Sequence, residues 1–168
     1  MDKNEHLSLV ALSDKDSRNV YDMLQGIAAN ENEFKNEVNG MPYAEFPAWI
    51  RKMEAWSQGE QLPDGYVPQT IFLLYDGEAP VGMGKIRHRL TDYSRKIGGN
   101  IGYAISAKYR GKGYGTELMR LLALKADEMG VDEKLATVEI YNPASRRAIE
   151  KAGGRLVKET AERWYFAF

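Results

Sequence analysis

The stretch that most restricts the fold is residues 109–117, YRGKGYGTE, because of what stands on either side of it. Downstream, Leu118, Leu121, Leu122, Ala126 and Met129 fall on one apolar face of a helix that Gly130 ends. Upstream, in NIGYAIS (100–106), Ile101, Tyr103 and Ile105 alternate with small or polar residues as in a strand. The glycines therefore join a strand to a helix. The first turn of such a helix leaves backbone N–H groups without partners and carries about half a positive charge, so the junction attracts an anion. Arg110 and Lys112 add cations, and the expected guest is a pyrophosphate. A ligand-free turn with solvated basic residues is the plain alternative, and the position between strand and helix argues against it.

The spacing excludes two common phosphate loops. No glycine-lysine pair is followed by serine or threonine, as a nucleotide triphosphate loop requires, and glycines at 111, 113 and 115 do not give G-x-G-x-x-G. What remains is R-x-x-G-x-G, in Arg110, Gly113 and Gly115. A second block follows the strand-like LATVEIY (135–141): NPASRRAIEKAGGRLV, an asparagine-led helix ending in a glycine pair. In this order the two blocks resemble the GNAT superfamily of N-acetyltransferases over roughly residues 98 to 157.

The resemblance implies acetyl-CoA as cosubstrate and direct transfer of its acetyl group to a primary amine in a ternary complex. Its pyrophosphate loop maps onto Arg110, Gly111, Lys112, Gly113, Tyr114, Gly115 and Thr116, next to Ile105 and Ser106 at the strand end. Asn142 and Ser145 become pantetheine and phosphate partners. NIGYAIS and LATVEIY are expected to run parallel and splay, so that unpaired backbone groups accept the pantetheine arm and the Ile105 N–H polarises the acetyl carbonyl. The chain departs from the family at one point. A tyrosine that protonates the leaving thiolate is usual seven residues after the asparagine, and Ile149 stands there. Tyr141, Glu139 and Tyr103 are the candidate substitutes, each with an ordinary reading as a packed or solvated strand residue. Asn142 equally suits a helix cap, which Pro143 at the first helical position supports. A non-catalytic acyl-CoA-binding sensor that lost its acid is the alternative function, and a nucleotide-binding module is weaker still.

The acceptor stays open among small amines, peptide N-termini and lysine side chains. Glu31, Glu33, Glu37, Glu45 and Asp92 lie in segments able to wall a site for a cationic amine. A chain of 168 residues suits one domain, 1–168, and a formal net charge of -1 gives no field that recruits nucleic acid or anionic membrane. Without cysteine there is no thiolate metal site or disulfide, and His6 and His88 are too few for an imidazole zinc site, so no metal is expected. The charged start MDKNEHLSLV leads into no signal-peptide core and no apolar run spans a bilayer, so the expected location is cytoplasmic. A homodimer is left open.

The remaining elements follow from pattern. LSLVALS reads as a strand, and Asp16 or Ser17 as the cap of a helix through Ala29. In PYAEFPAWIRKMEAW, Pro42 starts a helix that Pro47 kinks or divides. Its aromatics face the core, with a substrate groove kept open for Tyr43 and Trp49. QTIFLLYDG and APVGMGKIRHRL form a hairpin, and TDYSRKIGG reads as a loop. After LATVEIY and ASRRAIEKAG, strands RLVKET and RWYFAF close the chain. The expected class is α+β, a mixed and mainly antiparallel central sheet flanked by helices, with a right-handed crossover.

Overall fold

The structure is a computed structural model that describes residues 4–168, so Met1–Lys3 of the charged start lie outside the described residues. In chain order the elements are β1 (Leu7–Ala11), α1 (Ser17–Gln25), β2 (Asn30–Glu31), β3 (Phe34–Lys35), α2 (Phe46–Ser57), β4 (Gln69–Asp76), β5 (Ala79–Arg87), α3 (Asp92–Lys96), β6 (Ile101–Ile105), α4 (Tyr114–Glu128), β7 (Leu135–Glu139), α5 (Pro143–Lys151), β8 (Arg155–Glu159) and β9 (Arg163–Ala167). The class is α+β, as expected. The strands form a four-stranded sheet in the order β1-β4-β5-β6 and a three-stranded sheet in the order β7-β9-β8, with β2 and β3 as a separate hairpin. Every ladder between them is antiparallel. β6 and β7 share no ladder and come together only where the two sheets meet.

That meeting point is built by Asn100, which is 1% exposed. Its backbone N–H donates to the Leu135 carbonyl (2.9 Å), its side-chain carbonyl accepts from the Leu135 N–H (2.7 Å), and its side-chain nitrogen donates to the Glu133 carbonyl (2.5 Å). Gly99 makes the approach possible: a Cβ there would lie 2.1 Å from the Leu135 carbonyl oxygen. Both strands start at this joint and diverge from it.

The core divides across the four-stranded sheet. On one side Leu24, Ile27, Phe46, Ile50 and Met83 bury the apolar faces of α1 and α2. On the other, Leu118 and Leu122 of α4 join Ile101 of β6 and Phe166 of β9, so one cluster spans both sheets. Each such side chain stabilises the fold by roughly 1.5 to 3 kcal/mol, and this second cluster fixes α4 over the splay.

Several local expectations change. α1 stops at Gln25 rather than Ala29, because Gly26 packs against Ser106, leaving room for no Cβ, and the buried Asn36 side chain takes the carbonyls of Leu24 and Ile27 (2.8 and 2.9 Å). Asp16 holds the cap position in left-handed backbone, φ 56°, but its carboxylate accepts from the Asn19 side chain and the Tyr75 hydroxyl instead of from a helix backbone N–H. TDYSRKIGG contains α3, capped reciprocally by Thr91 and Ser94. Pro47 divides a short 3-10 turn (Tyr43–Glu45) from α2. Trp49 lies in the core and Tyr43 hydrogen-bonds Ser17 at the surface (2.9 Å), so neither forms a substrate groove.

Candidate active site

Alternation along β6 decides which backbone groups are free. Ser106 N–H donates to Val81 (3.0 Å) and Arg87 N–H to Asn100 (2.8 Å), with Met83 opposite Ala104. Even-numbered residues thus face β5, and the N–H and C=O groups of Ile101, Tyr103 and Ile105 point to the open edge. On β7, Ile140 N–H donates to Glu162 (3.0 Å), which turns the backbone of Thr137 and Glu139 away from β9 and towards β6. Between the two edges lies a cleft of about 460 Å³.

The glycine loop closes one end of the cleft. Gly113 is the N-cap of α4 at φ 86°, backbone that only glycine adopts without strain, and a Cβ placed there would meet nothing within 4 Å. Helical hydrogen bonding begins with Glu117 N–H to the Gly113 carbonyl (3.3 Å), so the N–H groups of Tyr114, Gly115 and Thr116 have no helical acceptor. Open space beside unpaired donors at the N-terminus of a 15-residue helix fits a pyrophosphate. The Tyr114 hydroxyl ties this turn to Asp76, a bond that pushes its pKa up to about 12.

Most of the residues expected at the site come together here. Ile105, Arg110, Gly111 and Gly113 line the cleft, as do Tyr114, Gly115 and Thr116. So do Asn142, Ser145, Tyr103 and Glu139. Asn142 also caps α5, accepting from the Ser145 N–H (3.2 Å), and the Ser145 hydroxyl accepts from the Tyr103 hydroxyl (3.1 Å). Ile149 contributes a buried apolar wall. Lys112 is exposed beside the loop. Arg110 does not extend freely towards a phosphate: its Nε donates to the Ile105 carbonyl (3.0 Å) and its terminal nitrogen to Glu31 (2.7 Å).

Two expected residues fall elsewhere. Ser106 is buried with its N–H on Val81 and its hydroxyl donating to the Met23 carbonyl (2.8 Å), which commits both donors to the fold. Tyr141 is 78% exposed and outside the cleft. β7 ends at Glu139, and the Asn142 N–H turns back to the Glu139 carbonyl (2.9 Å), so alternation no longer carries position 141 to the cleft. Among the acidic candidates, Glu31 and Glu33 line the cleft; Glu37 pairs with Lys52 (2.8 Å), and Glu45 and Asp92 lie away from it.

The cleft is also walled by the β2–β3 hairpin. Its tip residues Asn32 and Glu33 hold left-handed backbone, φ 50° and 66°. Phe34 and Asn32 of this hairpin, and Arg163 behind it, are missing from the sequence reading. Only the Asn32 turn signal points to them. Glu33 pairs with Arg163 (Nε 3.2 Å), and Lys85 reaches the Lys35 carbonyl across the Phe34 ring. Burial and the neighbouring Glu33 carboxylate push the Glu139 pKa up, against the pull of Arg163. Burial raises that of Tyr103, against its bond to Ser145. Glu139 thereby binds a proton more tightly than an ordinary carboxylate, and Tyr103 stays protonated.

Unpaired N–H groups at one end and two open strand edges leading from them suit a group-transfer enzyme whose substrate carries phosphates on an extended arm. Residues 6–155 match the family described as the acetyltransferase (GNAT) domain, and the chain belongs to that family. No curated protein matches it in sequence. Among solved structures it is similar to RimL, a ribosomal L7/L12 alpha-N-protein acetyltransferase in complex with coenzyme A, at 13% identity and TM-score 0.70 over 98% of this chain and 94% of that one. It is also similar to the self-immunity acetyltransferase MccE in complex with acetyl-CoA and AMP, at 15% identity and TM-score 0.67 over 98% and 93%. A third is spermidine N-acetyltransferase from Vibrio cholerae with CoA and spermine, at 15% identity and TM-score 0.62 over 98% and 96%. At these identities the likeness is one of fold.

Proposed function

We propose that the protein transfers the acetyl group of acetyl-CoA directly to a primary amine within a ternary complex. The observation that carries this reading is the pair of open edges, Ile105 on β6 and Thr137 and Glu139 on β7, leading away from the Gly111–Thr116 cradle. Acetyl-CoA supplies an acyl carbon activated as a thioester. The N–H groups of Tyr114, Gly115 and Thr116, with Lys112 alongside, hold its phosphates. Asn142 keeps a side-chain nitrogen free of the cap bond, able to donate to the pantetheine arm. The Ile105 N–H donates to the acyl oxygen as negative charge develops there, a placement worth roughly 3 to 4 kcal/mol in comparable sites.

Two protons must move. The attacking nitrogen gives one to Glu139 as its bond to the acyl carbon forms, and the departing sulfur takes one from the Tyr103 hydroxyl, which Ser145 orients. Glu31 and Glu33 line the cleft, each already paired with a guanidinium, Arg110 and Arg163, and an acceptor that arrives as an ammonium first gives one further proton to water, since only the free amine can attack. A screen of small amines, peptide N-termini and lysine peptides with acetyl-CoA, reading thiol release, tests this. Release that depends on the amine is expected. Tight acetyl-CoA binding with no release from any amine would instead establish the acyl-CoA sensor, a reading favoured by the apolar Ile149 where the family places its acid.

A further inference from the structure

Arg110 opens the family's phosphate signature, yet its guanidinium is occupied at both ends by the protein. One end is the Ile105 carbonyl (3.0 Å), on the open edge beside the N–H assigned to the acyl oxygen. Left bare, that carbonyl would turn a negative dipole towards the atom that gathers charge; the guanidinium satisfies it and puts a positive charge there instead. The other end is Glu31 (2.7 Å), on the hairpin that walls the cleft and that we take as the acceptor wall. This hairpin is two residues per strand, turns through strained left-handed backbone at Asn32 and Glu33, and is held from outside by the side chains of Arg110, Lys85 and Arg163. So short a hairpin is not stable alone, and it is seated by those cations together with Phe34, which packs against the core.

We propose that Arg110 is a positioning residue for acyl transfer and not a phosphate ligand: it locks the end of β6 to the β2–β3 hairpin, so that the oxyanion donor and the acceptor wall are set together. The proposal rests on the acetyl-transfer reading for its kinetic consequences. Its structural consequences stand without turnover.

The test uses the full chain with Arg110→Gln, Arg110→Lys, Glu31→Gln and, for comparison, Lys112→Gln. Acetyl-CoA affinity is measured by calorimetry at low and high salt, amide hydrogen exchange at residues 31–35, and turnover on an accepted amine. Arg110→Gln and Glu31→Gln should keep affinity within about threefold and keep its salt dependence, whereas Lys112→Gln weakens affinity and flattens that dependence. Both bridge variants should speed exchange in the hairpin and lower kcat by about tenfold or more, and the double variant should be no worse than Arg110→Gln alone. Arg110→Lys keeps the charge but cannot fork to both partners, so it should retain affinity without recovering kcat. Loss of affinity in Arg110→Gln matching that of Lys112→Gln, or hairpin exchange equal to wild type, overturns the proposal. If wild type acetylates no amine, the acetyl-transfer reading fails, and affinity and exchange still decide Arg110.

Discussion

Gly113 holds φ 86° beside open space, so a larger residue there costs strain without a clash. Gly113→Glu should lose only about 1 to 2 kcal/mol of stability from left-handed backbone, yet abolish acetyl-CoA binding, because its carboxylate fills the phosphate space and repels the anion. Calorimetry on the folded variant decides this, and unchanged affinity would remove the cradle from the mechanism. Glu139 makes a prediction in pH. Its carboxyl titrates above the usual range because it is partly desolvated and lies beside Glu33, and only its ionised form can accept a proton. Turnover should therefore rise with pH through that raised value, and Glu139→Gln should flatten this limb of the profile. For stability the sign is opposite: the folded state binds the proton more tightly, so Glu139 costs stability as pH rises through the same range. A pH–rate profile identical in Glu139→Gln excludes it as the base.

At the scale of elements, α5 carries two roles on one residue, and they can be separated. Asn142 caps the helix through its side-chain oxygen, while its nitrogen is the proposed pantetheine donor. Asn142→Asp keeps an oxygen for the cap and should stay within about 0.5 kcal/mol of wild type, whereas Asn142→Ala should lose about 1 kcal/mol. Acetyl-CoA affinity should nevertheless fall about tenfold in Asn142→Asp, since a carboxylate cannot donate and repels phosphate. Equal affinity would leave Asn142 a cap alone. The same helix was legible in the sequence because Asn142, Pro143 and the glycine pair punctuate both of its ends, as Gly113 and Gly130 punctuate α4. The β2–β3 hairpin was not. Two-residue strands carry no alternation to read, and its turn uses Asn-Glu where Asn-Gly would signal a hairpin. Tyr141 was misplaced for a related reason: alternation predicts facing only while a strand lasts, and β7 ends two residues earlier. Arg110 read as a phosphate cation because its partner Glu31 is 79 positions distant in sequence.

At the scale of the whole molecule, two sheets are fastened at one end and apart at the other. Asn100 is the fastening, and Asn100→Ala leaves the part-buried Leu135 N–H and Glu133 carbonyl without their side-chain partner. A loss of about 1 to 2 kcal/mol is expected, with both sheets destabilised together because the cluster containing Leu118 and Phe166 spans them. Denaturant unfolding followed separately by tryptophan fluorescence and far-ultraviolet dichroism checks this, and non-coincident transitions would show the sheets to be independent. The divergence also has a colloidal side. Open strand edges are the template on which foreign strands add, and here two of them, β6 and β7, face a common gap. Warmed below its unfolding midpoint, the empty protein should scatter light early, and coenzyme A should delay the onset by giving those edges a partner. Adenosine 3′,5′-bisphosphate, which offers phosphates without the arm, should protect far less at equal saturation. Equal protection by both would mean that aggregation starts elsewhere on the surface.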